Sequence, residues 1–188
     1  MVMLILIIVS VIGVGGMQIA MMGERGARND RDMQVALQAA EAALIDAEDD
    51  IFTPGGSTRR SIFSPTVNVT AFADDCGGGG NNVGLCNPTT SGKPVWLTVD
   101  FTDTTKTTGL GQFTGRSLTN ANPSNPSSSS LPSGVQPFQA PRYIIEWIPD
   151  PLNASVTTPT PSYVYRVTAM GFGPRRDIQA VVQMIYRP

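Results

Sequence analysis

The residues that could do chemistry are few in this sequence. It has 188 residues, no histidine and two cysteines, Cys76 and Cys86. The absence of histidine excludes a His-based catalytic triad, a histidine general base and a histidine-ligated metal. The formal net charge is −2, which gives no electrostatic basis for binding nucleic acid. Since no other nucleophile or metal constellation stands out, we expect neither an enzyme nor a bound cofactor.

The two cysteines enclose a polar, glycine-rich stretch, GGGGNNVGL. Such a stretch should bury free thiols poorly. If the body of the chain lies on the far side of a membrane, in an oxidising compartment, an even number of cysteines indicates a disulfide. The sequence therefore predicts a Cys76–Cys86 bridge that closes a small loop at residues 76–86.

Two acidic groups also need an explanation. The first consists of Asp74, Asp75, Asp100 and Asp103. These residues do not follow the EF-hand spacing of a calcium site, so solvated loop carboxylates are the favoured interpretation. The second consists of Asp46, Glu48, Asp49 and Asp50, at the end of a predicted helix, where acidic charge opposes the helix dipole. Either basic neighbours such as Arg59 and Arg60 offset them, which is favoured, or they form a patch between subunits.

The elements that position these residues begin with an apolar run. Residues Met1 to Met22 include no Asp, Glu, Lys or Arg. At ~1.5 Å per residue, a helix of this length is roughly 33 Å long, about the thickness of a bilayer's hydrocarbon core. The run lacks the basic start and small-residue cleavage site of an ordinary secretory signal. We therefore expect it to be kept in the mature chain, after a short charged leader has been removed before Met1.

An amphipathic pattern continues the helix to residue 52. Apolar residues recur at spacings of three and four until Pro54–Gly56 ends the pattern. We expect one long helix, in which residues 1–28 project as an apolar half and residues 29–52 pack on a globular head, 29–188. The predicted core positions of the helix are Met33, Leu37, Ala40, Leu44, Ala47 and Ile51.

Three segments near the C-terminus alternate apolar and polar residues: RYIIEWI, SYVYRVTA and DIQAVVQMIY. They predict an antiparallel sheet within residues 142–187, and the short turn MGFGPRRD should join the last two strands as a hairpin. Each strand has one apolar face, so the sheet needs a cover, for which the helix is the only candidate. The sequence also predicts a strand at 95–101 and a weaker one at 67–71. These elements together predict an α+β fold.

A long stretch of Thr, Ser, Gly, Asn and Pro, which includes PSNPSSSSLPSG, lies within residues 102–141. It has too few apolar residues to collapse, so we expect an exposed, flexible loop. A plain insertion and a binding loop are both open at this point.

The segment after the apolar run resembles the N-terminal region of the PilX family of minor pilins, which reads E-R-x-A-x-N-x-R-D and then A-x-Q-A-A-E-A-A-L. The stretch that ends G-L-C at Cys86, and YRVTA…GFG…VVQMIY, are also similar to that family. The matching N-terminal residues are Glu24, Arg25, Ala27, Asn29, Asp32, Ala36, Gln38, Ala39, Ala40, Glu41, Ala42, Ala43 and Leu44.

The resemblance implies a type IV pilin-like fold and a minor subunit of a bacterial type IV pilus. It implies processing by prepilin peptidase, with Met1 as the mature, N-methylated end. The expected partners are other minor pilins and the major pilin through the N-terminal helix, and a PilY-type tip adhesin. The expected location is the inner membrane, with a periplasmic head, and then the pilus tip. Open alternatives are a membrane-anchored adhesin or binding module and a type II secretion minor pseudopilin.

One position departs from the pattern of major pilins, which carry a glutamate five residues into the mature chain. Here the fifth residue is Ile5, and the first acidic residue is Glu24. A lone carboxylate in a bilayer is costly unless a cation meets it. A subunit with nothing above it lacks that cation, so Ile5 predicts a place at the tip. Alternatively, Ile5 is ordinary helix filler and Met1 is not the mature start.

Overall fold

A computed structural model describes residues 2–52, 58–63, 67–117, 136–150 and 163–187. The helix α1 runs from Val2 to Phe52 without a break, through five glycines. Its 51 residues make it about 75 Å long at ~1.5 Å per residue. The predicted stop at Pro54–Gly56 lies outside the described residues.

The sheet follows the predicted antiparallel arrangement at its centre. Its long strands are β3 (Arg142–Pro149), β4 (Tyr163–Phe172) and β5 (Gln179–Tyr186), and each pairs antiparallel with the next. Two short strands share the other edge of β3: β1 (Leu85–Cys86) runs parallel to it and β2 (Thr108–Gly109) antiparallel. The strand order is therefore β1-β3-β4-β5, with β2 beside β3, and the predicted α+β, pilin-like fold is confirmed.

The head half of α1 covers one face of this sheet through alanines. The buried residues of the helix are Asp32, Ala36, Ala39, Ala40, Ala43, Asp46, Ala47, Asp50 and Ile51. The sheet supplies the large side chains of the same core, among them Tyr143, Ile145, Tyr165 and Val167. Because the side chains of the sheet fill the space between sheet and helix, the side chains of the helix must be small for the interior to reach normal packing density.

This division of volume corrects part of the predicted helix core. Met33 is 48% exposed and Leu37 is 40% exposed, while Leu44 is half-buried. The reason is a close approach between helix and sheet. A Cβ added to Gly171 of β4 would lie 2.0 Å from the carbonyl oxygen of Ala36 and 2.4 Å from the amide nitrogen of Ala40. The helix backbone rests directly on the β4 backbone, which leaves no room for a Leu or Met at the contact.

The second face of the sheet has a cover that the sequence pattern did not predict. Ile144 of β3 and the half-buried Met170 of β4 pack against Cys76, Cys86, Val95 and Phe101. The expected strand at 95–101 is wrong, because Val95–Thr98 forms a single helical turn, α2. That turn places Val95 and Val99 on one side and leaves Leu97 59% exposed. Residues 69–71, expected as part of a weak strand, form a 3-10 turn.

The beginning of the predicted flexible loop is part of the fold. Residues 102–117 include β2 and the fully buried side chains of Thr107 and Thr108. The reason is hydrogen bonding: the Arg142 Nε donates to the Thr107 hydroxyl at 2.6 Å, and Thr108 donates to the Val83 carbonyl at 2.9 Å. The serine-rich part of the loop, within 118–135, lies outside the described residues.

Candidate assembly surface

The N-terminal half of α1 is an apolar surface that the rest of the chain leaves uncovered. Ile5 is 59% exposed, and the aliphatic and methionine side chains from Val2 to Met22 are all exposed. The helix is long and apolar enough to cross a membrane, with a mean hydropathy of 2.5 over its most apolar stretch, none of which is buried. An apolar surface of this extent indicates contact with lipid or with other proteins.

A band of charge separates this surface from the head. Glu24 and Arg28 form an exposed ion pair one turn apart, and the Arg31 Nη2 donates to the Asp32 carboxylate at 3.3 Å. Asp32 is also the first residue of α1 that the head buries. Burial of α1 by the head therefore begins at Asp32, three residues after the first residue of the predicted head segment, 29–188.

Large apolar side chains remain on the exposed side of the helix beyond this band. They are Met33, Leu37, Ile45 and Phe52. Phe52 also lies 6.2 Å from the ring of Tyr186, measured between centroids, at the end of β5. Met33 and Leu37 are not buried in the head core. They thus extend the apolar surface onto the head.

The head is held to the end of the helix by a buried ion pair. The Arg59 guanidinium donates to the Asp50 carboxylate, with 2.7 Å from Nε to Oδ2, and both side chains are fully buried. Arg59 also donates to the Val83 carbonyl at 2.7 Å, and its guanidinium lies 4.0 Å from the Phe113 ring centroid. The Tyr143 hydroxyl donates to Asp50 at 2.9 Å. Burial, with the Asp50 carboxylate beside it, raises the pKa of Tyr143 well above its ordinary value.

The other acids at the helix end are bound by the segment that follows β2. The Asp46 carboxylate accepts from the Gly111 amide at 2.8 Å and from the Thr114 hydroxyl, and Asp49 pairs with Arg116. Burial raises the pKa of Asp46 despite these hydrogen bonds. Contacts within the chain therefore offset the three aspartates of the acidic cluster, as the favoured interpretation holds, although Arg116 takes the role that we assigned to Arg60.

The predicted disulfide is present between Cys76 and Cys86, whose Cα atoms are 4.4 Å apart. Both residues are fully buried, which the polar glycine-rich loop between them did not predict. They are buried because Cys86 belongs to β1, beside β3, and because Val95 and Phe101 close over the bridge. The loop is also tied to the helix end, through the hydrogen bond from Arg59 to Val83.

The aspartates near the disulfide cap local turns. Asp100 accepts from the amide and hydroxyl of Thr102, and Asp103 accepts in the same way from Thr105. These hydrogen bonds lower the pKa of both carboxyl groups. In the part of the chain that the structure describes, no three residues among Asp, Glu and Cys lie together in a way that could hold a metal ion.

Comparison with known families identifies the chain. The model for the C-terminal part of the type IV pilus assembly protein PilX matches residues 82–188, which is more than half of the chain. The chain belongs to the PilX family. The PilX N-terminal model matches residues 1–44, which include the apolar half of α1 and the charged band. No curated protein and no solved structure matches it.

Membership of the PilX family gives the apolar half of α1 a role. This PilX-family protein is a minor pilin, a structural component of the type IV pilus that associates with other pilus components. Its N-terminal helix suits both anchoring in a membrane and association with a pilus. The sequence motif after the apolar run, from Glu24 to Leu44, is the feature that indicates this family.

Proposed function

We propose that this minor pilin works in a complex of minor pilins that primes growth of the type IV pilus and then occupies the pilus tip. The observation that carries the proposal is the uncharged, exposed run of α1 up to Met22, with Ile5 where major pilins carry glutamate. A subunit below another can have its carboxylate met by the amine of the subunit above. A subunit at the tip has no such partner, and an aliphatic side chain avoids the cost of a buried charge.

The same helix serves two environments in turn. Before assembly, residues 1–28 anchor the chain in the inner membrane, while the head lies in the periplasm, where the Cys76–Cys86 bridge forms. After assembly, the apolar surface packs against the helices of other pilins. Both environments remove the same side chains from water, so one sequence satisfies both. The proposed neighbours are other minor pilins, the major pilin and a PilY-type tip adhesin.

The role is structural rather than catalytic. The sequence has no histidine. Among the described residues of the head, the buried Asp50, Arg59 and Tyr143 are hydrogen-bonded in one cluster, a structural arrangement that fixes the helix end.

A deletion strain tests the proposal. We expect the number of surface pili to fall sharply and to recover when the full chain is restored. We also expect this protein in the sheared pilus fraction at few copies per fibre, and at one end when it is labelled. Normal piliation in the deletion strain, with the protein confined to the membrane fraction, would contradict the proposal and favour a membrane-anchored binding module.

A further inference from the structure

The last strand of the sheet has an open side. β5 pairs with β4 along its whole length, from Gln179 opposite Phe172 to Tyr186 opposite Tyr165. Among the described residues, no strand pairs with the other side of β5. At the opposite end of the sheet, by contrast, β1 and β2 both pair with β3. No described strand thus takes up the backbone hydrogen-bonding groups on this side of β5, which is the arrangement of an edge strand that can pair with another.

The side chains of β5 do nothing to block such pairing. Natural edge strands are usually guarded by charged side chains, proline or a bulge. The eight residues of β5, QAVVQMIY, include no charged residue and no proline, and β5 pairs with β4 without a bulge. On the face away from α1, Val181 is 48% exposed and Ile185 is 69% exposed. On the face towards α1, Val182 and Met184 are only half-buried.

We propose that β5 accepts an added strand from a different subunit of the pilus. The inference rests on the proposed function, because it names the way in which this minor pilin binds a neighbour. The added strand is extended and uncharged over about the length of β5. It carries apolar side chains at alternate positions, which meet Val181 and Ile185 on one face and Val182 and Met184 on the other.

A second copy of this chain, paired antiparallel through its own β5, does not fit the open side. Two identical strands that pair antiparallel, edge to edge, are related by a two-fold axis perpendicular to the sheet. The helix α1 lies against the face of the sheet, so its axis is close to the plane of the sheet. A two-fold axis perpendicular to that plane reverses the helix, and the two apolar halves would then point in opposite directions. They could not enter one membrane or one filament core together.

Site-specific photo-crosslinking in piliated cells tests the partner. A photoreactive phenylalanine analogue replaces Ile185 in the full chain, and a matched strain carries it at Leu97, which is similarly exposed but belongs to α2 rather than to β5. We expect position 185 to give an adduct with another pilus protein in sheared pili, and position 97 to give none with that protein. An adduct only with a second copy of this chain would overturn the inference. So would the absence of any adduct from position 185 in pili that contain the protein.

Charge placed on the open strand gives a second test. The double variant Val181→Lys/Ile185→Lys should reduce surface pili by at least tenfold, while the chain remains at its normal level in the membrane. Leu97→Lys should leave the number of pili unchanged. If the deletion strain lacks pili and the double variant keeps them, the strand addition is wrong and the proposed function stands. If the deletion strain itself keeps its pili, the proposed function is wrong, and the crosslink alone decides the partner of β5.

Discussion

The two halves of α1 are one continuous helix, yet they use apolar residues in opposite ways. The N-terminal half exposes Ile, Val, Leu and Met over its whole circumference. The head half buries alanines and aspartates and leaves Met33 and Leu37 largely exposed. The difference shows that hydrophobicity alone does not decide which face of a helix is buried. In the head, the shape and hydrogen-bonding groups of the sheet and loops decide it. In the N-terminal half, the apolar side chains are buried only when the helix enters a membrane or a filament.

The first prediction removes the buried ion pair that fixes the head half of α1 to the rest of the head. Arg59→Ala leaves the Asp50 carboxylate buried without its guanidinium, which should cost about 3–5 kcal/mol. The measurement is thermal unfolding of the detergent-solubilised chain, followed by near-UV circular dichroism. Arg175→Ala is the control, because it removes an exposed, solvent-screened ion pair with Asp177 and should leave the melting temperature almost unchanged. Equal effects from the two variants would show that the buried ion pair does not hold the helix end.

The second prediction tests each half of α1 with one glycine substitution, in β4 where it contacts the head half and in α1 itself for the N-terminal half, and expects opposite signs. Gly171→Ala places a methyl group against the backbone of Ala36 and Ala40, and should cost about 3 kcal/mol or more. Gly26→Ala meets nothing within 4 Å and should stabilise the helix by up to about 1 kcal/mol. The two melting temperatures should move in opposite directions. If Gly171→Ala were neutral, the close contact between helix and sheet would be wrong.

The third prediction compares a small and a large residue within the head half. Ala40→Leu overfills the contact with β4 and should cost about 1–3 kcal/mol. Leu37→Ala removes a largely exposed side chain and should cost less than about 1 kcal/mol. Denaturant midpoints of the two variants measure the difference. If Leu37→Ala destabilised the chain more than Ala40→Leu, the predicted stripe would describe the core better than the alanine face does.

The fourth prediction concerns Ile5, in the half that lacks a cover. Ile5→Glu adds a carboxylate that no subunit above can neutralise, so we expect no gain in surface pili and at most a modest loss. Ile5→Leu should leave the number of pili unchanged, since only apolar bulk is required. Pilus yield and the amount of this protein per pilus are the measurements. Incorporation of Ile5→Glu at many copies along the fibre would contradict the capping argument.

The smallest expected effect concerns Asp46 and depends on pH. An unfolded Asp has a pKa near 3.8, and burial raises the pKa of Asp46 in the folded chain. The contribution of this group to stability is therefore full below pH 3.8 and is lost as the pH rises through the folded pKa. Asp46→Asn resembles the protonated acid, so its melting temperature relative to that of the wild type should rise as the pH is raised from 3 to 7. A difference in melting temperature that does not change with pH would contradict this.

Much of the fold followed from local patterns. The uncharged run, the strands β3, β4 and β5, and the β4–β5 hairpin are all visible as hydrophobic periodicity or turn residues, because each depends on neighbours in sequence. The disulfide followed from the number of cysteines and the expected compartment. These features can be predicted without knowing which surfaces of the chain pack against each other.

The tertiary structure decided what depends on residues far apart in the chain. The contact with Gly171 explains why alanines rather than Met33 and Leu37 face the sheet. The aspartates at the helix end are held by partners distant in sequence: Arg59, Gly111, Thr114 and Arg116. The helical turn at Val95–Thr98 and the burial of the disulfide under Phe101 depend on the second face of β3. The sequence by itself determined which segments are helix and strand over most of the chain, because that choice is local. It did not determine which side of the helix is buried, because steric fit and buried hydrogen bonds arise only when the helix meets its partners.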